Sequence, residues 1–361
     1  MTKDVREFVP MPRAATPESI HETPFRVRRP GYQGPVFPFS RVLVTGGAGF
    51  LGTHLCEHLL DDGIDVVSVD DLSSSAVSAA QALTTRSGYH FVQRDICDPD
   101  LVDELGTGFD AVFHLASPAS PPDYQRRPID TLRAGSSGTT TALEIARRAG
   151  ARFVLASTSE VYGDPERHPQ PESYWGNVNP IGPRSMYDEA KRYAEALASA
   201  YRRAGLVDVG IARIFNTYGP GMRPDDGRMI PTFCVQALSG KALTVSGSGQ
   251  QTRSLCYVDD TVSALIALAY STFGGPVNIG NPVELTVLAV AEYIRDLAES
   301  DSAVEFIAGA VDDPRRRCPD IDIARKQLGW QPLVDYHSGL RNTVQWFRDP
   351  DRMATSGQLA R

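Results

Sequence analysis

The feature that most constrains the fold is the glycine run Gly46–Gly52 (GGAGFLG), which follows the short apolar segment Arg41–Thr45 and precedes a helical pattern. Glycines at a strand-to-helix turn let backbone N–H groups approach a pyrophosphate, and the helix N-terminus adds positive potential. Asp70 ends the next apolar segment, 24 positions after Gly46. A carboxylate there can accept hydrogen bonds from an adenosine ribose and would repel a 2′-phosphate. The pattern therefore predicts a site for NAD rather than NADP.

Apolar segments alternate with helical patterns over the first 214 residues. The predicted strands are Arg41–Thr45, Ile64–Val69, His90–Gln93, Ala111–Leu115, Phe153–Ser157 and Val207–Ile214, and the predicted helices include Ile129–Gly150 and Met186–Ala204. This alternation indicates an α/β fold with a Rossmann-like, doubly wound parallel sheet. After Phe215 the alternation breaks down, and only two helices are predicted, near Val287–Leu297 and Gly339–Arg348. We expect a smaller C-terminal substrate-binding lobe at the carboxyl ends of the strands.

Four segments follow from this pattern. They are a proline-rich N-terminal extension (1–39), an NAD-binding Rossmann domain (40–214), a mainly substrate-binding lobe that can be interleaved with it (215–348) and a C-terminal tail (349–361). The net charge of −8 argues against a nucleic-acid partner, and no apolar run is long enough to predict a membrane span. Five cysteines without a C-x-x-C pair favour a reducing, cytoplasmic location. His54 and His58 lack further ligands, so no metal site is predicted.

Two further motifs carry chemistry. Tyr187 and Lys191 lie four residues apart at the start of a predicted helix, so their side chains share one face. We expect the lysine charge to lower the pKa of the phenol and to hold a nicotinamide ribose, which would let the tyrosine act as a general base on a substrate hydroxyl. Thr158, Ser159 and Glu160 follow the fifth predicted strand, where the threonine hydroxyl can bind the same substrate oxygen.

The glycine run, Thr158 and the Tyr187–Lys191 pair resemble the extended short-chain dehydrogenase/reductase superfamily. Longer blocks resemble, more specifically, the UDP-glucuronic acid decarboxylase (UDP-xylose synthase) family within it. These blocks are His114–Pro122, Leu155–Glu166, Asn177–Pro183, Arg213–Pro220, Gln251–Arg253, Asn278–Pro282, Asp312–Pro314, Arg317 and Pro319–Ile321. The resemblance covers residues 41–348.

The resemblance implies an enzyme that converts UDP-glucuronic acid to UDP-xylose and carbon dioxide. Tightly bound NAD would oxidise the sugar at C4, the resulting β-keto acid would lose carbon dioxide, and the 4-keto pentose would be reduced again. The implied catalytic residues are Thr158, Ser159, Glu160, Tyr187, Lys191 and Arg317. Among them, Glu160 and Arg317 are the expected partners in the decarboxylation and proton-transfer steps.

The same resemblance implies the ligand contacts. Those to NAD are Gly46, Gly49, Phe50, Leu51, Gly52, Asp70, Asp71, Asp95, Ile96, Leu115, Ser117, Tyr187, Lys191 and Thr217. Those to the UDP-sugar are Pro118, Tyr124, Arg133, Asn216, Arg228, Arg253 and Arg317. Arg253 and Asn216 are expected on the diphosphate, and we hypothesise that Arg133 attracts the glucuronate carboxylate. A homodimer is also expected, through the helices predicted at Ile129–Gly150 and Met186–Ala204.

Other functions remain open on the residues alone. A dTDP-glucose 4,6-dehydratase would need an acid where Ser159 stands, whereas the GDP-mannose type shares the Thr-Ser-Glu motif. The loop Ala116–Pro122 favours the decarboxylase. A C4 epimerase would not need Glu160 and Arg317. An oxidative variant would release the UDP-4-keto-pentose together with NADH, and a protein that only binds its cofactor could share the fold.

Overall fold

The computed structural model describes residues 39–75, 77–309, 314 and 316–350. The predicted extension (1–39) and tail (349–361) fall outside these ranges apart from residues 39, 349 and 350. The strands are β1 (Arg41–Thr45), β2 (Asp65–Asp70), β3 (Tyr89–Gln93), β4 (Ala111–His114), β5 (Arg152–Thr158), β6 (Val209–Ile214), β7 (Thr217–Tyr218), β8 (Leu243–Ser246), β9 (Thr252–Ser254), β10 (Cys256–Tyr257), β11 (Pro276–Ile279), β12 (Glu284–Thr286), β13 (Val304–Ile307) and β14 (Arg316–Arg317). The helices are α1 (Phe50–Asp61), α2 (Val77–Leu83), α3 (Leu101–Glu104), α4 (Pro121–Arg126), α5 (Pro128–Arg133), α6 (Thr139–Ala149), α7 (Ser185–Arg203), α8 (Met229–Leu238), α9 (Val258–Tyr270), α10 (Val287–Leu297) and α11 (Tyr336–Phe347).

Seven parallel strands form the central sheet in the order β11-β6-β5-β4-β1-β2-β3. Helices cover both faces of the sheet. Successive residues of a strand point to opposite faces, so they pack in two different cores. Val42 and Val44 pack in the core that contains α1 and α9, whereas Leu43 packs with residues of α6 and α7. The predicted Rossmann-like, doubly wound parallel sheet is confirmed.

The C-terminal half differs from the sequence prediction. Two helices were predicted after Phe215, and they correspond to α10 and α11, but the described residues also form α8 and α9. The prediction was wrong for α9 because this helix has no continuous polar face: eight of its 13 residues are buried. Strand β11 also comes from this half, and its Pro276 pairs with Ile211 of β6. The segment predicted as mainly substrate lobe thus supplies one edge of the central sheet.

The helix predicted over residues 129–150 is interrupted. It consists of α5, a π-helical segment (Ala134–Gly138) and α6, which ends at Gly150 with φ +64°. Hydroxyl groups inside this stretch bond backbone carbonyls of the preceding turn, as Ser136 Oγ does to Leu132 O at 2.7 Å. The π-helical segment packs closely on α7, since a Cβ added to Gly135 would lie 2.6 Å from Cβ of Ala190. This contact allows the π-helical segment to approach α7, the helix that carries Tyr187, closely.

The smaller lobe contains a three-stranded sheet in the order β12-β9-β14. In this sheet Arg317 of β14 pairs with Arg253 of β9, so two arginines that are far apart in sequence become neighbours. All five cysteines are unpaired, as predicted. Across the described residues, none of the helices combines the length and the apolarity needed to cross a bilayer.

Candidate active site

A cavity of about 1700 Å³ lies at the carboxyl ends of the parallel strands, between the sheet and the smaller lobe. Every residue predicted to bind NAD, to bind the UDP-sugar or to take part in catalysis lines this cavity. Such a position is where open α/β sheets bind their ligands. The structure therefore brings the predicted site residues together around one cavity and adds the contacts that they make with one another.

One end of the cavity is formed by the glycine turn between β1 and α1. Side chains cannot be added there, because a Cβ at Gly46 would lie 2.7 Å from the Ala116 nitrogen and one at Gly52 would lie 2.1 Å from the Gly46 oxygen. The N-cap residue of α1, Gly49, supplies no side-chain cap. The first N–H groups of α1 are therefore left for an anionic ligand, with Phe50 and Leu51 beside them.

Asp70 lies at the end of β2, beside this turn. Its carboxylate accepts hydrogen bonds from Ala48 N (3.1 Å), Leu72 N (2.8 Å) and Ser75 Oγ (3.1 Å). Burial raises the pKa of Asp70 to about 6, and the hydrogen bond from Leu72 opposes that rise. A buried carboxylate fixed in this way suits ribose hydroxyls and disfavours a phosphate. The turn and Asp70 thus fit an NAD molecule.

Other residues predicted for NAD surround these two features. Asp71 follows β2 directly, and Asp95 and Ile96 follow β3, where Asp95 Oδ1 accepts a hydrogen bond from Cys97 N at 2.8 Å. Leu115 and Ser117 follow β4, and Thr217 opens β7. These residues line the cavity from the end beside Asp70 to its centre.

Tyr187 and Lys191 lie at the centre of the cavity, both on α7 and both buried. Lys191 Nζ donates a hydrogen bond to Ala156 O at 2.8 Å and lies 5.9 Å from the centroid of the tyrosine ring. Burial lowers the pKa of Lys191 to about 8. Burial also raises the pKa of Tyr187, although a hydrogen bond with Thr158 opposes the rise. In the chain by itself the pKa of Tyr187 is therefore raised rather than lowered, because loss of solvent outweighs the hydrogen bond with Thr158 and the charges of Glu160 and Asp188 raise the pKa further.

Thr158 and Ser159 join the end of β5 to a short 3₁₀ turn (Ser159–Tyr162). Thr158 Oγ1 accepts a hydrogen bond from Glu160 N at 3.2 Å, which caps the turn. The same side chain is the hydrogen-bond partner of Tyr187. The turn therefore brings Thr158 to the tyrosine and directs Glu160 toward the smaller lobe.

The Glu160 carboxylate is held by two guanidinium groups. Arg317 makes a bidentate pair, with Nη1–Oε1 at 2.5 Å and Nη2–Oε2 at 2.8 Å, and Arg184 Nη2 lies 2.8 Å from Oε2. Only 13% of the Glu160 side chain, 5% of Arg317 and 15% of Arg184 are exposed. Burial alone would raise the pKa of Glu160, but Arg317 and then Arg184 lower it to about 2. Glu160 is thus ionised at neutral pH.

The sequence pattern did not identify two members of this cluster. Arg184 immediately precedes α7, three residues before Tyr187, and this spacing could have suggested that it shares the tyrosine's surroundings. Asp188 follows Tyr187 and is 6% exposed, and its Oδ1 has no hydrogen-bond partner among the described residues. Burial, followed by the charge of Glu160, raises the pKa of Asp188 to about 7.

Tyr124 covers the opposite side of Tyr187. It lies in α4, just after the loop that contains Pro118, and its ring stacks on Tyr187 with centroids 5.2 Å apart and an interplanar angle of 13°. Its hydroxyl is buried and has no hydrogen-bond partner among the described residues. A buried phenol of this kind can donate to a substrate oxygen.

The far end of the cavity is rich in arginine. Arg253 Nη1 donates to Thr252 O at 2.9 Å, Arg228 Nε lies 2.9 Å from Asp226 Oδ1, and Asn216 Nδ2 donates to Ser254 O at 3.5 Å. Guanidinium groups in such a place suit a diphosphate.

Arg133 lies apart from this group. It is the last residue of α5. Burial raises the pKa of the Cys97 thiol, and the charge of Arg133 opposes that rise. The structure thus places Arg133 near the β3 side of the cavity. Its role with the glucuronate carboxylate stays a prediction.

Side chains of His168, Glu284 and Cys318 also come together, with their ligating atoms within 4.8 Å of one another. Arg316 contacts two of them, because its Nη2 lies 2.8 Å from His168 Nε2 and 3.4 Å from Glu284 Oε2. Its positive charge disfavours a metal cation at this position.

The cavity has a dinucleotide-binding turn at one end, the Tyr187–Lys191 pair at its centre and arginines at the other end. This combination is typical of an NAD-dependent enzyme that acts on a phosphorylated substrate. The model of the NAD dependent epimerase/dehydratase family matches residues 42–280. The chain belongs to this family. Within the family it belongs to the UDP-glucuronic acid decarboxylases, because its sequence is 45% to 48% identical to theirs.

UDP-glucuronic acid decarboxylase 1 of Danio rerio is 48% identical over 308 residues, which are 85% of this chain and 72% of the relative. UDP-glucuronic acid decarboxylase 3 of Arabidopsis thaliana is 45% identical over 312 residues, covering 86% and 90% of the two chains. A solved structure of a mutant UDP-glucuronic acid 4-epimerase from Bacillus cereus, in complex with UDP-4-deoxy-4-fluoro-glucuronic acid and NAD, is 27% identical. It matches with a TM-score of 0.77 over 85% of this chain and 98% of its own.

Proposed function

We propose that this protein is an NAD-dependent UDP-glucuronate decarboxylase, which converts UDP-glucuronic acid to UDP-xylose and carbon dioxide. The observation that carries the proposal is the largely buried cluster of Glu160 with Arg317 and Arg184, which lies beside Tyr187 in the cavity. Two guanidinium groups face one carboxylate, so the cluster has a positive excess that suits a second carboxylate on the substrate. The identities of 45% and 48% to named decarboxylases support the same activity.

NAD, when bound, supplies the hydride acceptor for C4 of the sugar and returns the hydride at the end of the cycle. Gly46–Gly52 and Asp70 would hold the dinucleotide. In its phenolate form Tyr187 accepts the proton of the C4 hydroxyl, and Thr158, its hydrogen-bond partner, holds the same oxygen. Lys191 keeps a positive charge beside the tyrosine at neutral pH, because its pKa stays at about 8.

Decarboxylation follows from the C4 ketone, because the C6 carboxylate is then that of a β-keto acid. Loss of carbon dioxide leaves electrons on the C4 oxygen as an enolate, which the hydroxyls of Tyr187 and Thr158 stabilise. Arg317 binds the carboxylate before it leaves. Glu160 is ionised, with a pKa of about 2, so it does not itself protonate C5. Its part is to orient a water molecule, which gives the proton to C5 and leaves as hydroxide.

The dehydratase alternative has less support in this geometry. In the dTDP-glucose type, elimination of the C6 hydroxyl needs an acid at the position of Ser159, which offers only a hydroxyl. The GDP-mannose type shares the Thr-Ser-Glu motif, so this argument does not apply to it. Glu160 is kept ionised by two guanidinium groups.

We propose a homodimer formed through α5 and α7. These helices pack on each other and leave apolar side chains exposed, with Ile129 65%, Leu132 40% and Tyr193 50% exposed. An apolar face that is covered by a second copy would stabilise the helix that carries Tyr187. Sedimentation of the wild type and of Leu132→Glu tests this: a dimer that the substitution weakens supports it, and a wild-type monomer refutes it.

We also propose a cytoplasmic location, because five unpaired thiols suit a reducing compartment. Fractionation of the source cells, with the protein followed by immunoblot, tests this. Recovery in an oxidising compartment would contradict it.

The activity is tested with purified protein and UDP-glucuronic acid, without added reductant, by following carbon dioxide release, NADH absorbance and the sugar product by proton NMR. UDP-xylose without net NADH is the expected result. Carbon dioxide with accumulating NADH and a UDP-4-keto-pentose would instead identify the oxidative variant. Absence of turnover, even with added NAD, would refute the proposal and direct the assay to GDP-mannose and dTDP-glucose.

A further inference from the structure

The Glu160 cluster contains one more guanidinium group than a simple ion pair requires. Arg317 alone makes two hydrogen bonds to Glu160 and uses both carboxylate oxygens. Arg184 adds a contact from Nη2 to Oε2. Asp188 compensates this excess only in part, because a pKa of about 7 leaves the carboxyl close to half protonated at neutral pH. A buried, uncompensated positive charge is unfavourable unless an anion arrives to balance it.

The two arginines are held by different parts of the fold. Arg184 is the N-cap residue of α7, and its carbonyl accepts hydrogen bonds from Tyr187 N (3.0 Å) and Asp188 N (3.1 Å). Its backbone is therefore fixed to the tyrosine's helix. Arg317 reaches Glu160 from β14, in the small sheet of the other lobe. A change in the contacts of Arg317 thus leaves Arg184 in place.

We propose that Arg184 is a positioning residue, which holds the Glu160 carboxylate while Arg317 turns from Glu160 to the C6 carboxylate of UDP-glucuronic acid. The inference rests on the proposed function. With the substrate bound, two carboxylates would face two guanidinium groups, and each carboxylate keeps a cationic partner. Once carbon dioxide has left, Arg317 returns to Glu160, which restores the arrangement seen in the structure.

The different contact geometries give a sharp test. Arg317 binds Glu160 through two nitrogens, a geometry that a lysine cannot reproduce, whereas the contact between Arg184 Nη2 and Glu160 Oε2 is one that a lysine ammonium can also make. We expect Arg184→Gln to lower kcat for UDP-glucuronic acid by about 10- to 100-fold, the equivalent of one charge-assisted hydrogen bond. Arg184→Lys should recover most of that loss, and Arg317→Lys should not recover the loss of Arg317→Gln.

A second readout separates positioning from a structural role. UDP-glucose lacks the C6 carboxylate, so its affinity, measured by calorimetry with NAD present, should change less than about twofold in Arg184→Gln. Arg203→Gln is the matched control, because it removes an exposed arginine at the other end of α7, and it should leave both measurements unchanged.

Three results would overturn the inference. They are a kcat of Arg184→Gln within twofold of wild type, an equal loss in Arg184→Gln and Arg184→Lys, or a parallel loss of UDP-glucose affinity. Failure of the proposed function is distinguishable, since in that case the wild type itself would not turn over UDP-glucuronic acid.

Discussion

Replacement of Glu160 by glutamine removes a carboxylate that contacts both Arg317 and Arg184. In the folded chain the pKa of Glu160 is about 2, against 4.5 for an ordinary glutamate. At about 1.4 kcal/mol per pKa unit, this difference corresponds to about 3 kcal/mol of stability at neutral pH. The value agrees with the range of about 3 to 5 kcal/mol for breaking a buried ion pair.

The pH dependence has a definite sign. Because folding lowers the pKa of Glu160, its contribution is complete above the unfolded pKa of 4.5 and is lost as the pH falls toward about 2. We therefore expect Glu160→Gln to reduce the free energy of unfolding by about 3 kcal/mol at pH 7.5 and by only about 2 kcal/mol at pH 3.5. Urea titrations at one protein concentration, with NAD in excess, measure both values.

Glu189→Gln is the control for this experiment. Glu189 lies on α7, its side chain is 37% exposed, and its carboxylate lies 3.6 Å from Arg192 Nε, so we expect a change below about 1 kcal/mol. Equal stability of Glu160→Gln and wild type at pH 7.5 would refute the reasoning. A larger loss at pH 3.5 than at pH 7.5 would refute it as well.

Three further substitutions test the rest of the site. Gly52→Ala places a Cβ 2.1 Å from the Gly46 oxygen, and we expect calorimetry to show at least about tenfold weaker NAD binding; unchanged affinity would contradict the assigned turn. Tyr187→Phe removes the general base, so kcat should fall by about 10²- to 10⁴-fold while calorimetry still detects NAD and UDP-glucuronic acid; retained turnover would exclude this role. Arg253→Gln should raise KM for UDP-glucuronic acid by about tenfold with little change in kcat, and steady-state kinetics in which kcat falls instead would argue against a diphosphate contact.

The sequence predicted the parts of the molecule that depend on local patterns. The first six strands, the glycine turn after β1 and the helix that carries Tyr187 and Lys191 all lie within a few residues of their predicted positions. Their signals are alternation, periodicity and glycine geometry, which neighbouring residues determine. Helix α9 was not predicted, because most of its residues are buried by the rest of the fold. Its sequence therefore lacks the polar face that marks a helix at the surface.

The sequence by itself determined the sheet, the dinucleotide turn and the residues that line the cavity. Only the tertiary structure decided how those residues act on one another. Glu160 and Arg317 are 157 residues apart and meet because β14 pairs with β9, while Arg184 joins them from the start of α7. Burial raises the pKa of Tyr187, whereas Arg317 and Arg184 lower the pKa of Glu160 against the effect of burial. Residue types fix which charges a chain can carry, but distances and access to water, which only folding sets, determine their energies.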